Sequence, residues 1–346
     1  MPKITVFMAA YNAAPFISQA IASVLNQTFE DFELLIVNDG STDNTTAIVR
    51  SFTDPRIRLI ENESNKGLSF TRNVALIEAK GEFMAVLDSD DIAHPNRLEI
   101  QIQHFLNRPK LAVLGGYAYV IDHTGCRTGQ EMIPICGTNT LHAGLLFYNS
   151  FVHSTVMLRM SAFTEVGGYP AYVAAEDYGL FSRIALKYEV DNIPEYLVEY
   201  RIHGNNISLQ KKDILEAHLN DILVYQLDKL LPSITNLDPA ILLSPVMGSK
   251  YSPKEYYTLY REIILENRKH KQYPITELER IFFNNWYAIV MEKGKSKTLP
   301  LFLSKPIFNS QYVTAKQIRK TFKLSLKYLL GIRRSQGDMI KTPSLH

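Results

Sequence analysis

The feature that most constrains this chain is the alternation of short apolar runs with amphipathic stretches through its first 120 residues. Runs at Ile4 to Ala10, Glu33 to Asn38, Ile57 to Glu61, Phe83 to Leu87 and Ala112 to Val120 read as strands, with helical patterns between them. The first helix follows Pro15, a residue suited to an opening turn, and sets Ile17, Ile21, Val24 and Leu25 on one face. A second follows Ser41-Thr42-Asp43, a third runs from Leu68 to Ala79 before Gly81, and a fourth starts near Pro95. Strands alternating with helices in this way predict an α/β fold whose mainly parallel sheet is flanked by helices.

Ligands of such sheets gather at the carboxyl ends of the strands, where loops and helix N-termini converge. Polar clusters fall at those ends: Asn12 after the first strand, Asp39 after the second, Asn62 and Asn65 after the third, and Asp88, Asp90 and Asp91 after the fourth. Adjacent carboxylates repel, so they persist where water or a cation neutralises them. A hard divalent ion fits, because magnesium or manganese takes one or two protein carboxylates and completes its shell with phosphate and water. The same residues also suit an acidic helix cap ahead of Pro95. Asn38 to Asp43 can equally be turn chemistry, with Asp39 a candidate acceptor for a base or ribose donor group.

Beyond the fifth strand, residues 121 to 150 read as loop-rich, His153 to Arg159 as a strand and Glu176 to Leu186 as a helix. Short strands are expected at Glu189 to Ile193 and Tyr196 to Arg201, and helices near 213 to 230, 253 to 270 and 275 to 291, interrupted by Pro232, Pro239 and Pro245. No internal repeat is visible.

The two cysteines, Cys126 and Cys136, read as reduced thiols rather than a structural disulfide. No stretch approaches the roughly 20 apolar residues of a membrane-spanning helix, and the N-terminal run is too short for a signal peptide. A cytoplasmic protein is expected, at most lying on the inner face of a membrane. Charge is unevenly distributed: residues before Lys293 hold 25 basic and 34 acidic side chains, whereas from Lys293 onward there are 12 basic residues against one acid, Asp338. Within that tail, residues 315 to 334 set Ile318, Phe322, Leu326 and Leu329 on one face of a basic helix. Such a helix suits an anionic membrane surface or, alternatively, packing of its apolar face on the acidic body. No nucleic-acid-binding module is recognised.

The motifs have a familiar order. Strand one ends Ala9-Ala10-Tyr11-Asn12, followed by Gln27-Thr28-Phe29, Asn38-Asp39-Gly40-Ser41-Thr42-Asp43, Asn65-Lys66-Gly67 with Arg72-Asn73, and Asp88-Ser89-Asp90-Asp91. Asn149 through His153-Ser154-Thr155, Glu176-Asp177 and Tyr200-Arg201 with His203 come next. Over residues 1 to 210 the chain resembles the inverting family 2 glycosyltransferases, whose catalytic domain has the Rossmann-like GT-A fold. The resemblance implies a nucleotide-sugar-binding half over 1–110 and an acceptor and catalytic half over 111–212; the helical pattern alone marks 213–346 as a C-terminal helical region with the basic tail. The resemblance also implies transfer of a sugar from a nucleotide-diphosphate donor, a UDP-sugar foremost, to a glycan or lipid-linked acceptor in surface polysaccharide assembly.

By the same resemblance Tyr11 packs on the base, Asp39 binds it, and Arg72 reaches the base or diphosphate. Asp88 holds the ribose or sugar, and Ala9, Asn12, Asn65 and Ser89 line the donor site. Asp90 and His203 would hold Mn2+ or Mg2+, with His153 and Arg201 toward the acceptor or diphosphate. Asp177, beside Glu176, is the expected base that takes the acceptor's proton. Lone histidines are more often structural, and no zinc spacing is present. Two other readings compete: a sugar nucleotidyltransferase, whose Gly-rich basic first loop is missing, and a non-catalytic nucleotide-sugar scaffold, which would need no base.

Overall fold

The computed structural model describes residues 1–204, 212–230, 238–243, 250–293 and 297–330. The chain forms two compact units, one of residues 1–145 and 149–222, the other of residues 146–148 and 223–346.

The first unit opens with β1 (Ile4–Ala10), α1 (Ile17–Leu25), β2 (Phe32–Asn38), α2 (Thr45–Ser51) and β3 (Ile57–Glu61). Ile17, Ala20, Ile21 and Val24 form the buried stripe of α1, at the spacing of one helix face. The helix expected over Leu68 to Ala79 is two short pieces, α3 (Leu68–Asn73) and α4 (Ala75–Glu78), meeting at Val74. Then come β4 (Phe83–Val86), β5 (Ile92–Ala93), α5 (Arg97–Asn107) and β6 (Leu111–Ile121). The stretch read as loop-rich contains a hairpin strand, β7 (Arg127–Met132), and a helix, α6 (Thr138–Gly144). Charged, alternation-free β7 is exposed along most of its length, which is why it carried no strand signal. The strand expected over His153 to Arg159 starts with a 3-10 turn, His153–Thr155, and only β8 (Met157–Arg159) is extended. α7 (Met160–Glu165), α8 (Glu176–Ala185), β9 (Glu189–Arg201) and the start of α9 (Lys212–Leu230), up to residue 222, follow. β9 is one strand where two were expected; exposed Pro194 sits where its register against β6 shifts, a bulge that tolerates the missing N–H.

The strand order is β3-β2-β1-β4-β8-β6-β9-β5, with β7 on β6. The expected parallel pairing holds from β3 to β4, with Ile4 opposite both Phe32 and Phe83. Past β4 the sheet is mixed, since β8 runs antiparallel to β4 and β6 while β6 and β9 are parallel. Both faces are covered: Val6, Met8, Leu34 and Ile36 point into one core and Phe7, Leu35 and Val37 into the other. That burial explains the continuous apolar runs of β1 and β2.

The second unit is helical, with α10 (Pro253–His270), α11 (Ile275–Lys293), α12 (Thr298–Phe302) and α13 (Ala315–Leu329). Ser252 and Glu255 cap α10 reciprocally, and Pro253 occupies its first turn. Its core is aromatic: Trp286 is fully buried and donates to the Leu301 carbonyl at 2.9 Å, and the Phe282 ring lies 4.5 Å from that of Tyr260. Among the described residues no helix is long and apolar enough to cross a membrane. The expected basic helix over 315–334 is α13 as far as Leu329; residues 331–334 lie outside the described residues.

Candidate functional site

The loops after β1, β2 and β3 are laced together by the polar residues at their starts. Asn12 has a left-handed backbone, φ 49°; its N–H donates to Ser41 Oγ at 2.9 Å and its Oδ1 accepts from the Thr42 N–H at 2.9 Å. Asp39 is buried, and its carboxylate accepts from Asn62 Nδ2 at 2.8 Å, the Lys66 N–H at 2.9 Å and the Gly67 N–H at 3.0 Å. Gly40 makes that approach possible: at φ 70° a Cβ there would stand 2.6 Å from the Ser64 main chain. Asp39 therefore organises the 62–67 loop, in which exposed Asn65 accepts from the Gly67 N–H at 3.1 Å. Tyr11 projects its ring outward, 49% exposed, while Ala9 pairs with Val37 within the sheet.

At the end of β4 the four-residue acidic motif turns sharply, with the Asp91 N–H donating to the Asp88 carbonyl at 3.1 Å. Asp88 Oδ1 lies 3.0 Å from Arg72 Nη2 and 3.6 Å from His153 Nδ1. Burial opposes ionisation of Asp88, but Arg72 and His153 outweigh it and hold the carboxyl well below the usual range. Arg72 is itself buried and forms a second ion pair, with Glu176. These two carboxylates more than offset burial and keep its guanidinium firmly charged. Asp90 behaves differently: burial and the neighbouring Asp88 charge push its carboxyl upward, against the pull of His203, whose Nε2 is 2.8 Å from Asp90 Oδ2. Ser89 is half-buried between them.

Asp91 faces inward. Its Oδ1 accepts from the Arg201 N–H at 2.7 Å, and burial, then the charges of Asp90 and Asp88, push its carboxyl well up. Arg201 was expected at the acceptor or diphosphate. Its guanidinium is instead buried against main chain, donating to the Asp90 carbonyl at 2.7 Å, the Asp122 carbonyl at 3.1 Å and Gln19 Oε1 at 2.7 Å. A fork turned onto these groups fixes the loop around Asp90. The Phe16 ring lies 4.9 Å from this guanidinium and stacks at 4.9 Å on His203.

On the far side, α8 begins with Glu176 and Asp177 immediately after Ala175, whose φ of 62° is unusual for a residue with a Cβ. Asn149 Nδ2 donates to Asp177 Oδ2 at 2.8 Å. His153 Nε2 contacts the Tyr169 hydroxyl at 3.0 Å, and the Arg72 guanidinium lies 5.6 Å from the centre of the Tyr169 ring. The structure thus brings Arg72, Asp88, His153 and Glu176 into one buried cluster, with Asp90 and His203 on one flank and Asp177 on the other. Tyr200 senses both flanks: burial, then Asp91, Asp88, Asp90 and Asp177, push its hydroxyl upward. Among the described residues, no three His, Cys, Asp or Glu side chains converge as a complete metal cage.

Several supporting residues escape a reading of the sequence. Buried Arg97 donates to the Val86 carbonyl at 2.7 Å and the Val156 carbonyl at 3.1 Å, and burial pushes it down to about 9 despite Asp91 and Asp88. Gln101 donates at 2.9 Å to the Leu114 and Thr155 carbonyls. Their signal was available, because they share the buried stripe of α5 with Leu98, Ile102 and Phe105. His218 carried none: it stacks on Tyr172 at 4.6 Å and its Nδ1 meets the Ala174 carbonyl at 3.0 Å.

Comparison with known proteins decides the family. The family model "Glycosyl transferase family 2" matches residues 5–167. Over 213 residues the chain is 33% identical to WfaP of Escherichia coli, a UDP-Glc:alpha-D-GlcNAc-diphosphoundecaprenol beta-1,3-glucosyltransferase, covering 61% of this chain and 82% of WfaP. The chain belongs to glycosyl transferase family 2. Its fold is the GT-A fold. TarS residues 1–349 of S. aureus, in a crystal structure with UDP-GlcNAc, superimposes with a TM-score of 0.54 at 18% identity, covering 96% of this chain and 93% of that one. The mannosyltransferase PcManGT of Pyrobaculum calidifontis, in complex with GDP-Man and Mn2+, gives a TM-score of 0.50 at 17% identity, covering 96% and 88%. The family match takes in the four strand-end clusters and His153; Glu176, Asp177, Arg201 and His203 lie beyond it.

Proposed function

We propose that this family 2 glycosyltransferase moves a sugar from a nucleotide-diphosphate donor, a UDP-sugar, to an acceptor hydroxyl with inversion. The observation that carries the proposal is the Arg72 bridge, which ties the acidic motif after β4 to the start of α8, where Asp177 follows Glu176. Bound donors in the TarS and PcManGT structures support a nucleotide sugar. The diphosphoundecaprenol-linked acceptor in the name of WfaP supports a glycan or lipid-linked acceptor.

The exposed Tyr11 ring would cover the base, with Asp39 and Asn65 below it and Ala9, Asn12 and Ser89 lining the cleft. Asp88, kept ionised by Arg72, would accept from ribose or sugar hydroxyls. Asp90 and His203 would hold Mn2+ or Mg2+, and the fit is good: two side chains suffice for a hard ion that shares phosphate oxygens. A cation would also relieve the charge that burial makes unfavourable on Asp90. Bound there, the ion supplies Lewis-acid stabilisation of the diphosphate.

The remaining chemistry belongs to side chains. Asp177, oriented by Asn149, would take the acceptor's proton as its oxygen bonds to the anomeric carbon. The carbon–oxygen bond to the diphosphate breaks on the opposite face. Glu176, committed to Arg72, would set the pose of Asp177, and Arg201 would hold the Asp90 main chain in place. Asp177→Asn tests the assignment: transfer should fall 10²- to 10⁴-fold while UDP-sugar still raises the melting temperature. Undiminished turnover would remove Asp177 from the mechanism.

A further inference from the structure

The basic helix α13 takes no part in the chemistry above, and its packing differs from one of the two arrangements its sequence allows. It is capped reciprocally by Thr314 and Gln317. The face it buries in the second unit is narrow and partly polar: Thr321, Leu324 and Ser325, with Thr321 Oγ1 3.8 Å from Met291 Sδ. The apolar stripe is not that face. Ile318 is 50% exposed, Phe322 57%, Leu326 46%, Leu329 72% and, just past the last turn, Leu330 64%.

Around the helix, at about 100° per residue, three sectors follow in order. The buried sector comes first, then the exposed stripe, then a cationic sector of Lys316, Arg319, Lys320, Lys323 and Lys327 with no acidic residue in the helix. An exposed stripe of five large apolar side chains marks an interaction site. We infer that α13 lies in an anionic lipid surface, with Ile318, Phe322, Leu326, Leu329 and Leu330 in the acyl boundary and the adjacent cations on lipid phosphates. Charge selects this occupant. A second copy of the same helix would bring five like charges against five, whereas an anionic headgroup layer complements them. Among the described residues no helix is long and apolar enough to span a bilayer, so α13 would attach the enzyme in the plane of the surface.

The test uses the full chain with vesicles of phosphatidylcholine alone and of phosphatidylcholine mixed with phosphatidylserine. Wild type should sediment with the anionic vesicles, and added salt should release it. Phe322→Ser combined with Leu329→Ser should weaken that partition at least tenfold, and Arg319→Glu with Lys323→Glu should abolish the preference for anionic lipid. The substituted positions are exposed, so melting temperatures should stay unchanged. Equal partition of wild type between the two vesicle types, or undiminished binding by both variants, overturns the inference. So does lipid-free dimerisation lost with Phe322→Ser, which would give the stripe to a second copy. Sugar transfer is not measured, so failure here leaves the catalytic reading untouched.

Discussion

Replacing Arg72 with methionine is the sharpest test of how the acidic site is held together. Arg72 is 5% exposed, pairs with Glu176 and lies 3.0 Å from Asp88 Oδ1. Methionine fills much of the same length without charge, leaving buried Glu176 and partly buried Asp88 without the cation they share. Keeping both ionised would cost about 3–5 kcal/mol, the usual penalty for breaking a buried ion pair. The alternative is to protonate one, and Glu176 is the candidate, since burial already pushes its carboxyl upward against the pull of Arg72. Protonation costs about 1.4 kcal/mol for each pH unit above an ordinary carboxyl value near 4, hence about 4 kcal/mol at pH 7 and about 2 kcal/mol at pH 5.5. The sign follows from proton counting. The native variant holds a proton that its unfolded chain has released, so its stability falls relative to wild type as pH rises. Urea unfolding of both proteins at pH 5.5 and 7.0, followed by circular dichroism, measures the gap. A loss below about 1 kcal/mol at pH 7, or an equal loss at the two pH values, refutes the view that Arg72 neutralises this pair.

Three further outcomes are expected. Asp90→Asn should raise at least tenfold the Mn2+ concentration needed for a UDP-sugar to stabilise the protein, read by thermal shift; an unchanged requirement takes Asp90 out of the metal site. Gly40→Ala should destabilise by about 1–3 kcal/mol because of its positive φ and the Ser64 main chain 2.6 Å away, and a melting temperature equal to wild type would contradict that. His142 in α6 has its ionisation pushed down to about 4 by burial. The unfolded chain therefore takes up that proton first, and up to about 3 kcal/mol of stability should drain away as pH falls from 6.5 toward 4. Asp90, Asp91 and Glu176 shift in the opposite sense, so the effect is read as the difference in pH slope between wild type and His142→Asn, and parallel slopes would count against it.

Legibility of the sequence followed burial. β1 was read at its observed bounds because residues buried on both faces leave a mainly apolar run, and partly buried β3 because Ile57, Leu59 and Ile60 stand out around Arg58. The same rule fails at β7, which is mostly exposed, and at two-residue β5, too short to show any period. In the site, charge types were visible but their partners were not. Nothing in the chain around Arg201 distinguishes a guanidinium aimed at phosphate from one aimed at the Asp90 carbonyl, since strands far apart in sequence decide it. Arg97 and Gln101 look like solvated polar residues until the apolar stripe they interrupt is traced around α5. Likewise, the sequence of α13 displays an apolar stripe, yet which of its faces is buried depends on Thr321, Leu324 and Ser325.

The grip of His218 on the segment before α8 bears on where this protein can be cut. A boundary drawn after the last strand, at Arg201, would discard the imidazole that clasps Tyr172 and the Ala174 carbonyl. The left-handed turn at Ala175 would then lose that external brace, and Asp177 two residues on would inherit the slack. A minimal enzyme excised for engineering should therefore run through the first half of α9, and loop swaps between relatives should carry the Tyr172 and His218 pair together.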